Sequence, residues 1–152
     1  MEPITKDILC PDPDGEGEHR LVYYEYGNEQ HPKTVICVHG LTRNGRDFDF
    51  LGPELSSDFS VVSVDMPGRG QSDWLRESEW YNYSTYMTDI LLLIHSLQPR
   101  QLYWIGTSMG GLLGMMIAAT HKRLIRKMVI NDIGPFIPNE ALKRLSEYVG
   151  VK

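Results

Sequence analysis

The sequence predicts an α/β fold in which helices flank a mostly parallel central sheet. Two observations favour this fold. Several short segments are apolar on both faces, as parallel strands buried between helices are. Between them lie segments whose apolar residues recur every three to four positions, as in helices packed on a sheet. The alternation of the two patterns over 152 residues predicts a single α/β domain.

Five segments have the pattern of strands. The first reads "RLVYYEYG", ends at Gly27 and follows a turn-rich loop with an Asp14-Gly15 hairpin signal. The other four are "TVICV" at 34–38, "SVVSVD" at 60–65, "QLYWIG" at 101–106 and "RKMVIND" at 126–132. Ligands of parallel sheets bind beyond the carboxyl ends of the strands, so the residues that follow each strand are the candidates for function.

Four segments have the pattern of helices. They lie at 48–55, 86–97, 112–119 and 139–149. The second has a continuous apolar stripe and is ended by Pro99. The third is apolar nearly all round, as expected of a helix buried against a sheet. The last has Asn139 as its N-cap and Gly150 as a stop signal.

The composition favours a globular protein that has no nucleic-acid surface and no membrane span. A net charge of −5 without a cluster of Lys or Arg argues against a nucleic-acid surface. Residues 102–121 carry no formal charge, but each glycine in this stretch would cost a membrane helix about 1 kcal/mol, so we expect a strand, a turn and a helix instead. The amino terminus lacks the pattern of a signal peptide, and Cys37 lies in an apolar run. We therefore expect a cytoplasmic location.

The segment "GTSMG" matches the nucleophile-elbow motif G-x-S-x-G. In that motif the chain turns so sharply from strand to helix that the serine, here Ser108, stands clear of the backbone. Gly106 and Gly110 flank it because a Cβ at either position would collide with a neighbouring element. Two glycines around a serine are a weak signal alone, but a buried strand before them and an apolar helix after them supply the context that the motif requires.

His39-Gly40 follows the strand at 34–38 and forms the second candidate feature. The backbone N–H groups of Leu41 and Met109 are candidates for an oxyanion hole. His39 is a weak candidate for the general base, because loops at this position normally supply backbone donors. We expect it to shape the loop through hydrogen bonds.

We expect no cofactor and no metal ion. The segment "VDMPGRGQSD" lacks the third glycine of a dinucleotide site, and "GTSMGG" lacks the lysine of a phosphate-binding loop. No pair of histidines or carboxylates has the spacing of metal ligands. Asp65 is expected to cap the loop that follows its strand.

The segments "VICVHGLTRNGRDFD", "VVSVDMPGRGQSDW" and "YWIGTSMGGLLGM" resemble the amino-terminal half of an α/β-hydrolase, in that family's order. The resemblance implies that Ser108 is the nucleophile and that Leu41 and Met109 hold the oxyanion. It also implies one partial domain that stops before the last strands of the fold. Residues 1–19 would be an amino-terminal arm and loop, 20–137 the core and 138–152 the start of a cap-like helix.

The family's triad follows the chain order Ser, then Asp or Glu, then His, but only His121 follows Ser108 here. The resemblance therefore implies that the catalytic histidine is missing from this chain. Some members place the acid after the strand that follows the nucleophile helix, and Asp132 stands at that position. An aspartate ahead of Gly134-Pro135 is equally typical of a turn, so both interpretations remain open.

Three functions fit this sequence. The first is a serine hydrolase that acts on a small carboxylic ester or related acyl substrate. The second is a non-catalytic fragment or binding module that keeps the fold's pocket. The third is a carbon–carbon bond hydrolase, which would use the same serine. Because the strand at 126–132 would lie at an exposed edge, we also expect self-association through it.

Overall fold

The computed structural model describes residues 1–131, which form a six-stranded sheet with helices on both faces. The strands are β1 (Ile4–Pro11), β2 (Glu18–Tyr26), β3 (Lys33–Val38), β4 (Ser60–Val64), β5 (Gln101–Thr107) and β6 (Ile125–Asn131). Their spatial order is β1-β2-β4-β3-β5-β6. The pairs β4-β3, β3-β5 and β5-β6 are parallel, whereas β1-β2 and β2-β4 are antiparallel. The predicted α/β fold with a mostly parallel sheet is confirmed.

Three α-helices and two 3₁₀ turns connect the strands. They are the 3₁₀ turn Gly45–Phe48, α1 (Leu51–Leu55), the 3₁₀ turn Ser78–Trp80, α2 (Tyr83–Leu97) and α3 (Met109–Thr120). The helix predicted at 48–55 is thus split into a 3₁₀ turn and one short helix. The Asn82 side chain accepts a hydrogen bond from the backbone N–H of Thr85, so α2 begins earlier than its apolar stripe indicates. The helix predicted at 139–149 lies outside the described residues.

The sequence patterns missed β1, which we expected to be part of an amino-terminal arm. In the strand "ITKDILCP" only Cys10 is fully buried, so the segment has no apolar face for pattern analysis to detect. It forms because all eight of its residues pair with β2. Asp14-Gly15 lies in the connection between the two strands, as the hairpin signal predicts.

The core forms two layers, one on each face of the sheet. The larger layer packs side chains of α2 and α3 against the sheet and includes the fully buried Ile90, Leu93, Trp104, Leu113 and Ile117. The smaller layer lies on the opposite face around Tyr24, Tyr26 and Phe48. Because β3, β4 and β5 run parallel between these layers, their carboxyl ends reach one common edge of the sheet.

The described helices are short. The longest, α2, has 15 residues, and no helix within residues 1–131 combines the length and the apolar character that a bilayer crossing requires.

Strand β6 forms an edge of the described sheet and presents apolar side chains at its surface. It pairs with β5 on one side, and no other strand of residues 1–131 pairs with it. Val129 is 54% exposed, beside an apolar groove that Phe59, Tyr103 and Ile105 also line. An unpaired strand edge with apolar side chains favours pairing between chains.

We therefore predict that the 152-residue chain associates at micromolar concentration and that Val129→Lys shifts it toward the monomer, since a charge on an edge strand opposes pairing. Light scattering across the micromolar range measures the change. Ser57→Lys, at an exposed position outside the strands, adds the same charge and should leave association unchanged. A sharp monomer peak for the unmodified chain would contradict the prediction.

Candidate active site at the carboxyl edge of the sheet

Ser108 occupies a strained turn between β5 and α3. It is the residue immediately before α3, and its backbone has φ 52° and ψ −112°. A non-glycine residue with positive φ costs about 1–3 kcal/mol and persists only where its surroundings enforce it. The Ser108 side chain makes no capping hydrogen bond to α3 and is half-buried, so within residues 1–131 its hydroxyl has no partner at this helix amino terminus.

Two glycines flank the serine because the chain segments around it touch each other's backbone. A Cβ on Gly106 would overlap the Gly110 carbonyl and lie 2.5 Å from the backbone nitrogen of Gly111. A Cβ on Gly110 would overlap the carbonyl group of Val38, the last residue of β3. These approaches require glycine at both positions, for the steric reason that the motif implies.

Hydrogen bonds tie the turn to its neighbours. The Trp104 indole N–H donates to the Gly110 carbonyl at 3.0 Å and joins β5 to α3. The Ser108 backbone N–H donates to the Asn131 carbonyl at 2.9 Å and joins the turn to the end of β6. These bonds hold the serine over the carboxyl ends of β5 and β6.

The His39-Gly40-Leu41 loop lies beside Ser108. A Cβ built on Gly40 would stand 3.6 Å from the Ser108 Cβ, which is ordinary van der Waals contact. Among residues 1–131, no acceptor takes the backbone N–H of Leu41 or of Met109. Both residues predicted to hold the oxyanion therefore have a backbone donor without an internal partner, on the two segments that adjoin the serine.

His39 is buried and uses both ring nitrogens within the loop. The Met66 backbone N–H donates to Nε2 at 3.0 Å, so the ring proton is on Nδ1, which lies 2.6 Å from the Gly40 carbonyl and donates to it. Burial lowers the pKa of His39 below its usual value. The ring is thus a neutral link between the ends of β3 and β4 and has no free nitrogen to accept a proton from Ser108.

Asp65 connects the loops around this edge of the sheet. Its fully buried carboxylate accepts hydrogen bonds from the backbone N–H of Gly45 at 2.7 Å, the Tyr24 hydroxyl at 2.6 Å and the backbone N–H of Gln71 at 2.8 Å. A Cβ on Gly70, whose φ is +54°, would overlap this carboxylate. Asp65 does cap the loop after its strand, and it holds two further elements as well.

Arg69 supports the His39-Gly40-Leu41 loop, and the sequence patterns did not identify it. Its Nε donates to the Leu41 carbonyl at 3.0 Å, and a second guanidinium nitrogen donates to the Tyr86 hydroxyl at 2.9 Å. The guanidinium carbon lies 5.4 Å from the centre of the Tyr86 ring. Arg69 therefore connects the Leu41 peptide to α2, and the only sequence signal for it is its place in the "PGRG" turn.

Of the remaining candidate residues, His121 lies away from Ser108. His121 follows the last residue of α3, and Ser108 precedes the first, so the 12-residue helix separates them by roughly 18 Å. His121 is exposed, and its Nδ1 lies 2.9 Å from the Thr120 hydroxyl. The predicted acid, Asp132, lies outside the described residues, directly after Asn131 in the sequence.

The chain is similar to proteins of a known fold family. The family model described as alpha/beta hydrolase fold matches residues 33–149. The 3-hydroxybutyrate-oligomer hydrolase of Cupriavidus necator is 42% identical over 144 residues, which are 95% of this chain and 48% of that protein. The chain therefore spans about half the length of this relative.

Two solved structures agree with this family match. The crystal structure of an alpha/beta hydrolase from Novosphingobium aromaticivorans matches with a TM-score of 0.85 and 36% identity, over 96% of this chain and 50% of that one. The crystal structure of a Rickettsia typhi protein matches with a TM-score of 0.88 and 34% identity, over 97% of this chain and 54% of that one. Both structures extend well beyond the part that this chain covers.

We predict that Gly106→Ala lowers the free energy of unfolding by roughly 1–3 kcal/mol or more, because the added Cβ overlaps the backbone of α3 and neither element can yield cheaply. Urea unfolding followed by circular dichroism measures the change. Gly40→Ala is the matched control, since its Cβ meets only ordinary contacts, and it should change stability by less than about 1 kcal/mol. Equal losses in the two variants would show that the contact between β5 and α3 is not tight.

Proposed function

Because the chain belongs to the α/β hydrolase fold family, we propose that it supplies the nucleophile and the oxyanion donors of a serine hydrolase that acts on a carboxylic ester or related acyl substrate. The observation that carries this proposal is the backbone of Ser108, at φ 52° between two glycines that pack on backbone. A strained serine at the start of a helix, on segments with two N–H groups that have no acceptor in the described part of the chain, fits a nucleophile better than it fits a structural turn.

In the proposed reaction the Ser108 Oγ attacks the acyl carbon of the ester. The carbonyl π electrons move to its oxygen, which the N–H groups of Leu41 and Met109 stabilise. In other enzymes the loss of one such donor costs about 3 kcal/mol of transition-state stabilisation. The oxyanion then collapses, the alcohol leaves with a proton and the acyl group stays on Ser108. Water hydrolyses this acyl-enzyme and restores the serine.

The proton acceptor for Ser108 must come from outside the described residues. All five histidines lie within residues 1–131, and the nearest candidate, His39, has both ring nitrogens engaged. We infer that a histidine from the second half of the fold, which this chain does not span, takes the proton. Asp132 is the proposed acid that orients this histidine, as the family order of the triad allows.

An ester is the substrate class that the relatives support best. The 42% identical relative is named for an oligomer of a hydroxy acid, and the bonds that join hydroxy acids into oligomers are esters. A carbon–carbon bond hydrolase would use the same serine, so it remains the alternative for the reaction. Both ring nitrogens of His39 are hydrogen-bonded, so His39 has no free nitrogen to act as the base. This favours a further alternative for the chain by itself, namely a binding module without turnover.

The test measures p-nitrophenyl acetate hydrolysis by the chain alone and by the chain joined to the carboxy-terminal half of the Cupriavidus necator relative. Without a base, serine is a poor nucleophile, so we expect at most a trace of turnover from the chain alone. Loss of a triad histidine costs about 10⁶ in kcat in a serine protease, so restoring one should raise the rate by several decades. Asp132→Asn should remove much of this gain, and activity within threefold of the parent would exclude Asp132 as the acid.

Ser108→Ala should abolish the gain in the joined protein, whereas Ser57→Ala, at an exposed position outside the site, should leave it intact. Robust turnover by the chain alone that disappears in Ser108→Ala would mean that a base is present within it, and His39 would then be tested first. A joined protein that folds, hydrolyses the ester and keeps its rate in Ser108→Ala would overturn the proposal.

A further inference from the structure

Cys10, His19 and Asp89 meet in the interior, on three elements that the proposed reaction does not use. Cys10 and His19 face each other across the antiparallel pair β1-β2, and Asp89 projects from the buried face of α2. One ligand atom of each residue lies within 4.8 Å of the others, and all three residues are at least 98% buried. Thiol, imidazole and carboxylate are the groups that bind zinc in proteins.

The His19 ring is held between two carboxylates. Its Nδ1 lies 2.8 Å from Asp12 Oδ1, and its Nε2 lies 2.6 Å from Asp89 Oδ2. Asp12 is in turn paired with Arg76, at 3.2 Å between Oδ2 and the guanidinium. A histidine that gives one nitrogen to a metal commonly donates its other N–H to a carboxylate, and the bond to Asp12 is such a contact.

Asp89 has a buried oxygen that no N–H or O–H group of residues 1–131 contacts, and the Cys10 thiol is the side-chain donor beside the carboxylate. The residue is 99% buried, and its Oδ1 is inaccessible to solvent. This oxygen nevertheless accepts no hydrogen bond within residues 1–131. An unsatisfied buried carboxylate oxygen is costly, and a bound ion or water is the usual explanation for one in a native structure. The Cys10 thiol is the neighbouring ligand group across this gap.

We propose that Cys10, His19 and Asp89 form a zinc site that fastens α2 to the β1-β2 hairpin. The ligands are Cys10 Sγ, His19 Nε2 and a carboxylate oxygen of Asp89, and Asp12 receives the Nδ1–H of His19. A groove of about 320 Å³ that Asp12, Thr85 and Asp89 help to line lies beside the site, and a water from it would complete the four ligands of zinc. Soft thiolate with imidazole selects zinc over magnesium or calcium, which prefer oxygen ligands.

The charges and protons balance in this arrangement. Zinc displaces the proton of the Cys10 thiol and the proton shared by His19 Nε2 and Asp89, and both protons leave to solvent. The thiolate and the Asp89 carboxylate then neutralise the two positive charges of the ion, while Asp12 remains paired with Arg76. The hydrogen-bonded pair of His19 and Asp89 must open by less than about 1 Å, because tetrahedral ligands of zinc stand roughly 3.3 Å apart.

This site is separate from Ser108. Strand β2 lies three strand positions from β5 in the sheet, which corresponds to roughly 14 Å. The site would therefore stabilise the fold and take no direct part in chemistry at the serine. It fastens a helix that also carries Tyr86, the partner of Arg69.

The experiment uses the untagged 152-residue chain, freed of metal by a chelator and then titrated with zinc or cobalt at pH 7.5. We expect one equivalent of zinc by elemental analysis, a higher Tm with zinc, and a thiolate-to-cobalt charge-transfer band in the near ultraviolet. Cys10→Ser should abolish the band and weaken binding at least 100-fold. Cys37→Ser is the matched control, since Cys37 is a buried free cysteine outside the group, and it should keep both.

Substoichiometric zinc without the cobalt band in the unmodified chain would overturn the proposal, whatever the folding of the variants. A band that persists in Cys10→Ser and disappears in Cys37→Ser would also overturn it, by placing the metal elsewhere. Asp89→Asn, which keeps the shape of the side chain, should lower zinc affinity while the charge-transfer band remains at saturating cobalt. Both results are independent of ester hydrolysis, so they stand whether or not the proposed function does.

Discussion

The candidate site depends on one steric constraint, which is the backbone contact that α3 makes with β5 and β3. Gly106 and Gly110 have no Cβ, and only for that reason can the first turn of α3 lie against the end of β5 and the Val38 carbonyl. This approach leaves the chain too little room for an ordinary strand-to-helix connection, and Ser108 takes the positive φ of 52°. The strain at the serine is offset by the burial of α3, whose Leu113 and Ile117 are fully enclosed.

Around that turn, polar groups hold the loops that face the serine. Asp65 binds the backbone of two loops and the Tyr24 hydroxyl, while His39 joins the ends of β3 and β4 through both ring nitrogens. Arg69 ties the Leu41 peptide to Tyr86 on α2. These side chains are buried or half-buried, so few other hydrogen-bond partners are within their reach. Leaving one of their polar groups unpaired would cost more free energy than its hydrogen bond contributes. These bonds thereby keep the His39-Gly40-Leu41 loop beside Ser108.

Local patterns predicted much of this arrangement. The glycines at 106 and 110 and the apolar run after them indicate the elbow, since its steric requirements fall within five consecutive residues. Strand β1 was missed because its stability comes from pairing with β2 and only Cys10 in it is fully buried. The contacts of Arg69, and the meeting of Cys10, His19 and Asp89, join residues that are far apart in the sequence, and no spacing rule detects such pairs. The predicted roles of Ser108, Leu41, Met109 and Asp132 remain predictions.

We propose that Ser108 is an activated nucleophile when this chain is joined to a carboxy-terminal half that supplies a histidine. The most direct test of this proposal is covalent labelling of the joined two-half protein with a fluorophosphonate, which reacts only with a serine that a base has activated. Mass spectrometry of the digested protein should find one phosphonyl group per chain, on the peptide that contains Ser108, and none on the unjoined chain. A joined protein that hydrolyses esters but carries the label on another residue, or carries none, would contradict this account.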